Sequence, residues 1–546
     1  MLGHGLRAID LYAGVGGWSL GLRLAGIEVV ASYEWWQPAI DTHNGNLGGD
    51  LVPVDIRKLD IAGLPEDIDL VIGSPPCTQF SYSNRGGNGD IADGLKDLVR
   101  FFEVVEHLQP TYWVMENVPR VADVLRRGFI DPKHPLYRFR HLDPEVHVYD
   151  MATFGTPQAR KRCIAGILPF KLLEAYRSRL PRLTLGEVVD GLCADHVTDP
   201  VWGVVLDRAV VTEMEREPRL TEEEGRMNRE AKVYHPVYNN MSFPDDPSQP
   251  SRTVTATCTR VSRESIVIED PAAPGDFRRL TVRERASLQG FPITYQFFGK
   301  SFAEKRKMVG NAIPPSFTYL VGNAANGTAV EDLVLPHDAG RDLRLPEERP
   351  KVTRPDAEGA TYLPSRRFRA ALPGLRFKSG MRFELANHGE GGCQWHMRFL
   401  FGPSRDVREI DLDALLLSEL SASTFIQGLR ATLRRDFLEV EALLASTSPA
   451  RLQAAWTRRG DGIRPYALCD ALGALAGEVC TLLGRAPSDV KHAAVGYVLE
   501  AAAQGDPGEI VGAKKLTLNA LAVLSGLLVG SWFNTLDWHG AQRLAA

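Results

Sequence analysis

The chain has no C-x-x-C pair, and its seven cysteines (Cys77, Cys163, Cys193, Cys258, Cys393, Cys469, Cys480) are widely spaced and odd in number. This argues against a disulfide framework and against a zinc ribbon. Positive charge is not in excess either. The 546 residues carry 63 Lys+Arg against 68 Asp+Glu, a formal charge of −5, so a uniformly basic nucleic-acid coat is excluded and any polyanion site must be local. The amino terminus, MLGHGLRAIDLYAG, enters a strand at once with no charged segment ahead of an apolar one; it does not read as a signal peptide, and a cytoplasmic setting is expected. The one long apolar run, Leu516 to Phe533, contains Thr517, Asn519, two serines and two glycines, and reads as a buried helix rather than a membrane span.

What is present is an ordinary globular composition, 44% hydrophobic and 24% charged, long enough for three or four domains of about 100–200 residues. Short apolar runs recur through the first 170 residues: LRAIDLY, IEVVASYEW, IDLVIGSPP, TYWVMENV and RCIAGI. Their alternation with helical or loop segments predicts a doubly wound α/β sheet over residues 1–170. Residues 171–275 are charged, proline-bearing and loop-rich, an inserted second domain. Residues 276–335 return to helical composition and complete the first domain; 336–374 read as a linker. Residues 375–546 predict a short hairpin followed by helices. Charge is uneven: residues 1–150 hold 13 basic and 21 acidic side chains, residues 251–310 hold 11 and 6. A basic island sits late in the chain.

Asp10-Leu11-Tyr12-Ala13-Gly14-Val15-Gly16-Gly17 follows a strand and opens a helical run. Such a turn suits either a bound nucleoside cofactor, approached closely by glycine backbone, or a tight structural turn. Glu34, 24 residues after Asp10, has the position of a ribose-hydroxyl acceptor, and Trp35 beside it can stack on adenine. The third strand runs into Ser74-Pro75-Pro76-Cys77, where two prolines deliver a thiol to the carboxyl edge of the sheet. A lone cysteine there is either a nucleophile or an inert buried thiol. The fourth strand ends in Glu116-Asn117 at the same edge, and a carboxyl beside a thiol suits covalent chemistry with proton handling; a solvated loop residue is the plainer reading. In QARKR, Arg160 and Arg162 fall on one face of an extended strand, where they either orient Glu116 and a base carbonyl or form a solvated basic turn.

Together with VDI at 54–56, RLTVRERASLQGFP at 279–292 and VGNAIPP at 309–315, these blocks resemble the DNA (cytosine-5)-methyltransferase family, in its order and spacing, over roughly residues 6 to 330. The resemblance implies a Rossmann-like, S-adenosylmethionine-dependent methyltransferase of class I with an inserted target-recognition domain and no metal. It implies that Cys77 adds to cytosine C6, that Glu116 hydrogen-bonds N3 and the exocyclic amine, that Arg162 contacts O2, that Arg160 orients Glu116 and the thiolate, and that Asn117 supports the loop. It implies a cofactor site of Asp10, Tyr12, Ala13, Gly14, Val15, Gly16, Gly17, Glu34, Trp35, Asp55, Ile56, Ser74, Pro76, Leu95, Asn311 and Ile313. Two residues depart from the family: Tyr12 replaces its usual phenylalanine, and Val54 its usual glycine.

The segment Ser83 to Asp90 resembles the family's mobile catalytic loop, with Ser83, Asn84 and Arg85 as DNA contacts and glycine hinges at 86, 87 and 89. In the recognition domain, Arg252, Thr253, Thr255, Arg260 and Arg263 are expected to reach phosphates and base edges. Duplex DNA is the expected substrate, with tRNA, or a silent DNA-binding subunit, as alternatives. A restriction or phage-defence system is the setting by analogy, and residues 375–546 read as an accessory domain that docks a protein partner, contacts DNA beyond the target site, or only stabilises the fold. Cys393 and His396 lack a second ligand pair at zinc spacing.

Overall fold

The computed structural model describes residues 5–80, 90–233, 241–355, 361–377, 380–387, 394–402, 406–503 and 510–536. They form two compact units, residues 1–228 with 242–356, and residues 229–241 with 357–546. The insert expected over 171–275 is therefore not a compact unit of its own.

The first unit is built on β1 (Arg7–Leu11), β2 (Glu28–Tyr33), β3 (Leu70–Gly73), β4 (Tyr112–Asn117), β5 (Glu145–Asp150), the two-residue β6 (Gln158–Ala159) and β7 (Lys161–Ile167). All but β6 join one mixed sheet in the order β2-β1-β3-β4-β7-β5, with β7 antiparallel to both neighbours and β1 to β4 parallel. Each of the five apolar runs supplies a strand. β5 (EVHVYD) was not among them because it is an edge strand, mostly half-exposed and rich in charge.

Between strands lie α1 (Gly17–Leu24), α2 (Gln37–Leu47), α3 (Ile91–Leu108) and α4 (Arg120–Gly128). The chain continues through α5 (Phe170–Ala175), α6 (Leu185–Cys193), the hairpin β8 (His196–Thr198) and β9 (Val205–Asp207), α7 (Glu222–Lys232), β10 (Ser251–Arg252), the hairpin β11 (Val267–Asp270) and β12 (Ala273–Arg279), α8 (Val282–Leu288), α9 (Phe302–Asn311) and α10 (Pro315–Ala325).

Alternation along the strands divides the core in two. Ile9, Leu11, Val71, Trp113 and Met115 pack with Phe101 and Phe102 of α3 and Leu125 of α4. Ala8, Leu70, Ile72 and Val114 face the other way, with Trp18 of α1 and Phe317 and Leu320 of α10. The late block therefore completes the first layer. α1 and α10 touch through backbone: a Cβ on Gly21 would meet Thr318 Oγ1, Pro315 O and Tyr319 N, and Thr318 Oγ1 donates to Gly17 O at 2.8 Å.

The second unit corrects the hairpin expectation. It carries a four-stranded antiparallel sheet of β13 (Arg369–Arg376), β14 (Arg382–Ala386), β15 (His396–Phe401) and β16 (Arg408–Ile410), followed by helices. β13 starts inside the expected linker. Its Pro373-Gly374 pair reads as loop, and its pairing with β14 shifts register between Ala371 and Arg376. One sheet face buries Phe383, Leu385, Phe399 and Phe401; Gly526 of helix Ala520–Thr535 presses on the Phe383 ring. The apolar run 516–533 breaks at Asn519 between Ala513–Leu518 and that helix, whose Val523–Phe533 stretch is buried. Among the described residues, Pro465–Arg485 is long and apolar enough to cross a membrane by length and composition; its Leu468, Leu472, Leu475, Val479 and Leu483 are buried within the protein.

Gly21→Ala tests the α1–α10 contact. Alanine normally favours a helix interior by about 0.8–1 kcal/mol, but here its methyl overlaps backbone, so urea unfolding should show a net loss of about 1–3 kcal/mol.

Candidate active site

The carboxyl ends of β1, β3 and β4 lie side by side and deliver three loops to one edge. From β1 comes the glycine turn, in which Tyr12, Gly14 and Gly16 all have positive φ (57°, 53°, 85°). Glu34, at the end of β2, holds this turn: Oε2 accepts from Gly14 N (2.9 Å), and Oε1 from Trp35 N (2.9 Å) and Trp36 N (2.8 Å). A carboxylate has about four acceptor sites, so about one remains for a ligand hydroxyl. From β3 comes Cys77, in a turn closed by Phe80 N to Cys77 O at 3.0 Å. From β4 come Glu116 and Asn117. Asn117 Nδ2 donates to Pro75 O (3.0 Å) and its Oδ1 accepts from Val118 N (2.9 Å), bracing the Cys77 loop.

Glu116 and Arg162 are both nearly buried and pair at 2.8 Å between Oε1 and Nε. Arg162 sits on β7, next to β4 in the sheet. Arg160 does not join that pair. Its guanidinium donates from Nη1 to Val254 O (3.2 Å) and from Nη2 to Gly310 O (3.0 Å) and Ala312 O (3.1 Å). The expected division of labour is thus corrected: Arg162 holds Glu116, and Arg160 holds the late blocks. The reason is local. Residue 160 falls between β6 and β7, so strict alternation does not run through it. Burial pushes the Cys77 thiol above its ordinary value, Glu116 adds to the rise, and Arg162 and Arg160 oppose it.

The other expected cofactor residues divide by position. Asp10 is fully buried and cannot touch a ligand: strand alternation turns it to the Ala8 side of the sheet, beneath α1, where it accepts from Ser19 Oγ at 2.7 Å and burial raises its pKa to about 8. Trp35 leaves 67% of its surface exposed. Asp55 caps the turn Ile56–Lys58 by accepting from Arg57 N, with its carboxylate half exposed; Ile56 is buried. Ser74 Oγ accepts from Trp18 Nε1 at 3.0 Å. Pro76 and Asn311 are exposed, and Leu95 and Tyr12 are half-buried. Ala13, Val15, Gly16 and Gly17 are buried, and a Cβ on Gly17 would strike the carbonyl of Ile313, which fixes the late block on the turn. Among the described residues no group of three or more His, Cys, Asp or Glu is placed to hold a metal.

Residues 6–326 match the family described as C-5 cytosine-specific DNA methylase. The chain belongs to that family. Curated relatives of this methylase include the Type II methyltransferases M.HgiDI of Herpetosiphon aurantiacus, 27% identical over 58% of this chain and 94% of its own, and M.HindV of Haemophilus influenzae, 27% identical over 58% and 96%. Among solved structures, the Entamoeba histolytica methyltransferase EhMeth is 14% identical, covers 59% of this chain and 98% of its own, and has a TM-score of 0.41. The methylase is thus a DNA (cytosine-5)-methyltransferase.

The expected DNA contacts of the methylase are largely corrected. Arg252 is spent internally, on Asp245 (2.5 and 3.0 Å), Arg263 O and Ser265 O. Arg260 is buried against Glu224 (3.0 and 2.8 Å), Glu217, Pro218 O and Arg219 O. Thr253 Oγ1 donates to Ala159 O and Thr255 Oγ1 to Thr257 O; Arg263 is half-buried. Ser83, Asn84 and Arg85 lie outside the described residues. Much of the basic island is likewise turned inward: Arg278, Arg279, Arg283, Arg285 and Lys305 are buried too, with partners such as Glu213 and Glu217 supplied from outside the counted window. What sequence reading missed is a cluster around Arg57, Asp93 and Asp97; its only signal was the acidic i, i+4 pair on α3.

Two measurements follow. Arg260→Met leaves Glu217 and Glu224 short of a buried partner and should cost about 3–5 kcal/mol in denaturant unfolding, with the salt slope of DNA binding unchanged; a phosphate contact would instead lower that slope by about 0.9. Because Glu116 helps raise the Cys77 thiol, Glu116→Gln should lower that pKa and speed iodoacetamide alkylation of Cys77 at pH 7.5, whereas in the native protein the rate should still climb above about pH 8.5.

Proposed function

We propose that the methylase transfers a methyl group to C5 of a cytosine flipped out of duplex DNA, through a covalent bond between Cys77 and C6. The observation that carries this is the convergence of Cys77, Glu116 and Arg162 at one sheet edge, beside a turn with the backbone of a nucleoside site. A base inside a duplex is unreachable, so it must leave the stack. The Cys77 thiolate adds to C6 and the electrons of the C5–C6 double bond move toward C5, turning a poor aromatic nucleophile into an enamine. Glu116, held by Arg162, hydrogen-bonds N3 and the exocyclic amine and stabilises the charge that develops there. After C5 is methylated, loss of the C5 proton expels Cys77 and restores the double bond.

The residues fit S-adenosylmethionine. Gly14 and Gly16 give backbone at positive φ, Trp35 offers an exposed ring, and the Asp55 carboxylate and one Glu34 acceptor site remain for donors. When bound, that cofactor supplies the electrophilic methyl group. The setting we propose is the modification arm of a restriction or phage-defence system, with a protein partner docking on residues 375–546.

Incubation with a duplex containing 5-fluorocytosine and cofactor should yield an adduct stable in denaturing gels, absent in Cys77→Ser. DNA binding without an adduct would favour a silent subunit, and labelling of tRNA alone would move the substrate. Bisulfite sequencing of DNA from expressing cells then reads the target sequence.

A further inference from the structure

The segment after Asp55 is gripped by one face of α3. Arg57 forks onto Asp97, Nε to Oδ1 at 2.9 Å and Nη2 to Oδ2 at 2.7 Å, and its Nη1 reaches Asp93 Oδ1 at 2.9 Å. One turn further, Arg100 Nε donates to Ile56 O at 3.0 Å and its Nη2 to Leu59 O. Residues 93, 97 and 100 share a helix face. From the opposite side comes Tyr12, the position at which this chain departs from phenylalanine, and its hydroxyl donates to Asp97 O (3.3 Å) and Oδ1 (3.4 Å). Asp97 is buried, and the pair is bidentate and charge-assisted, the strong form of the interaction. Burial and the Asp97 charge hold the Tyr12 hydroxyl protonated, as a donor.

The same first turn of α3 touches the nucleophile loop. Gly94 lies so close to the Phe80 ring and Gln79 Cβ that a Cβ there would come within 2.8 and 3.0 Å of them. Asp90, the cap of α3, donates its N–H to Gln79 Oε1 at 2.9 Å. Phe80 N in turn closes on Cys77 O. An unbroken chain of contacts thus runs from Tyr12 and Arg57, on the cofactor side, through α3 to the turn that carries Cys77.

We propose that Arg57, with Tyr12 and Asp97, is a positioning clamp that sets the Cys77 turn according to whether the cofactor site is filled. It rests on the function proposed above for what fills that site. Arg57 touches no reacting atom in this scheme. It transmits the position of the Asp55–Ile56 segment to α3, and a ligand that stiffens that segment biases the thiol turn, while a DNA base engaged by Cys77 strengthens cofactor binding by the same factor.

The test uses the full chain with Tyr12→Phe, which keeps the ring and removes only the hydroxyl, and Arg57→Lys, which keeps the charge and loses the fork. Two quantities are read with and without S-adenosylhomocysteine: the rate and amplitude of covalent capture on 5-fluorocytosine DNA, and the alkylation rate of Cys77 by mass spectrometry, with buried Cys163 as internal reference. We expect unchanged capture amplitude, a capture rate lowered about fivefold or more, and loss of most of the change that S-adenosylhomocysteine makes in Cys77 alkylation. Amplitude falling while the rate holds would make the clamp merely structural. Rates and cofactor dependence matching the parent protein in both variants would overturn it. If the parent forms no adduct, the proposed function fails, and the alkylation comparison still decides the clamp.

Discussion

The active site depends on one buried cation. Arg160 is almost without exposed surface and, among the described residues, meets no carboxylate in hydrogen-bond contact; its guanidinium binds the carbonyls of Val254, Gly310 and Ala312. Two residues earlier, buried Gln158 donates to Leu288 O and Gln289 Oε1 and accepts from Val254 N. Gln289 in turn donates to Ala312 O. Three stretches of chain, each 94 to 152 residues further along the sequence, are drawn to one point. Without that point the insert, the 279–292 block and the 309–315 block have no common anchor on the sheet. Gly310 shows how closely they meet: a Cβ there would overlap the backbone of Thr255 and Ala256.

The same cation bears on the chemistry. Burial and the charge of Arg162 pull Arg160 well below its ordinary value, while Glu116 and Cys77 act to restore it. The influence is reciprocal, since Arg160 lowers the Cys77 thiol against the burial that raises it. A thiolate at residue 77 would therefore relieve part of the cost of keeping Arg160 charged. Anchoring the late blocks and opposing the rise of the Cys77 thiol are two consequences of one placement.

Legibility in the sequence followed physical type. The inner strands and the edge strand β2 announced themselves as apolar runs, and loops at the carboxyl ends could be placed from the α/β rule alone. Glu34 and Asn117 each satisfy backbone groups of a neighbouring loop, a partner no local pattern reveals. Asp10 was misjudged because the motif was read as a unit, while the strand before it alternates and hides its side chain under α1. β5 and β13 were missed for opposite reasons, one being a charged edge and the other carrying Pro373-Gly374. Arg57 was passed over because its partners Asp93 and Asp97 lie 36 and 40 residues away.

Charge was the least readable property, and the reason is quantitative. Counting by window found an excess of positive side chains at 251–310, but Coulomb energy follows distance in space. Glu213, Glu217 and Glu224 arrive from the preceding forty residues and Asp245 from just outside the window, and each meets a lysine or arginine of the island within 3.3 Å. Removing such ions from water costs several kcal/mol each, about what their pairing returns. The network therefore adds little net stability for its size. Its geometry is another matter, because Arg260 satisfies two carboxylates and two carbonyls at once, and few other arrangements of the same loops would leave so few of these charges unpaired. A loop-rich insert with little regular secondary structure gains from those ion pairs what a sheet gains from its ladder, a single register, and the arginines that looked available to DNA are the ones that hold it.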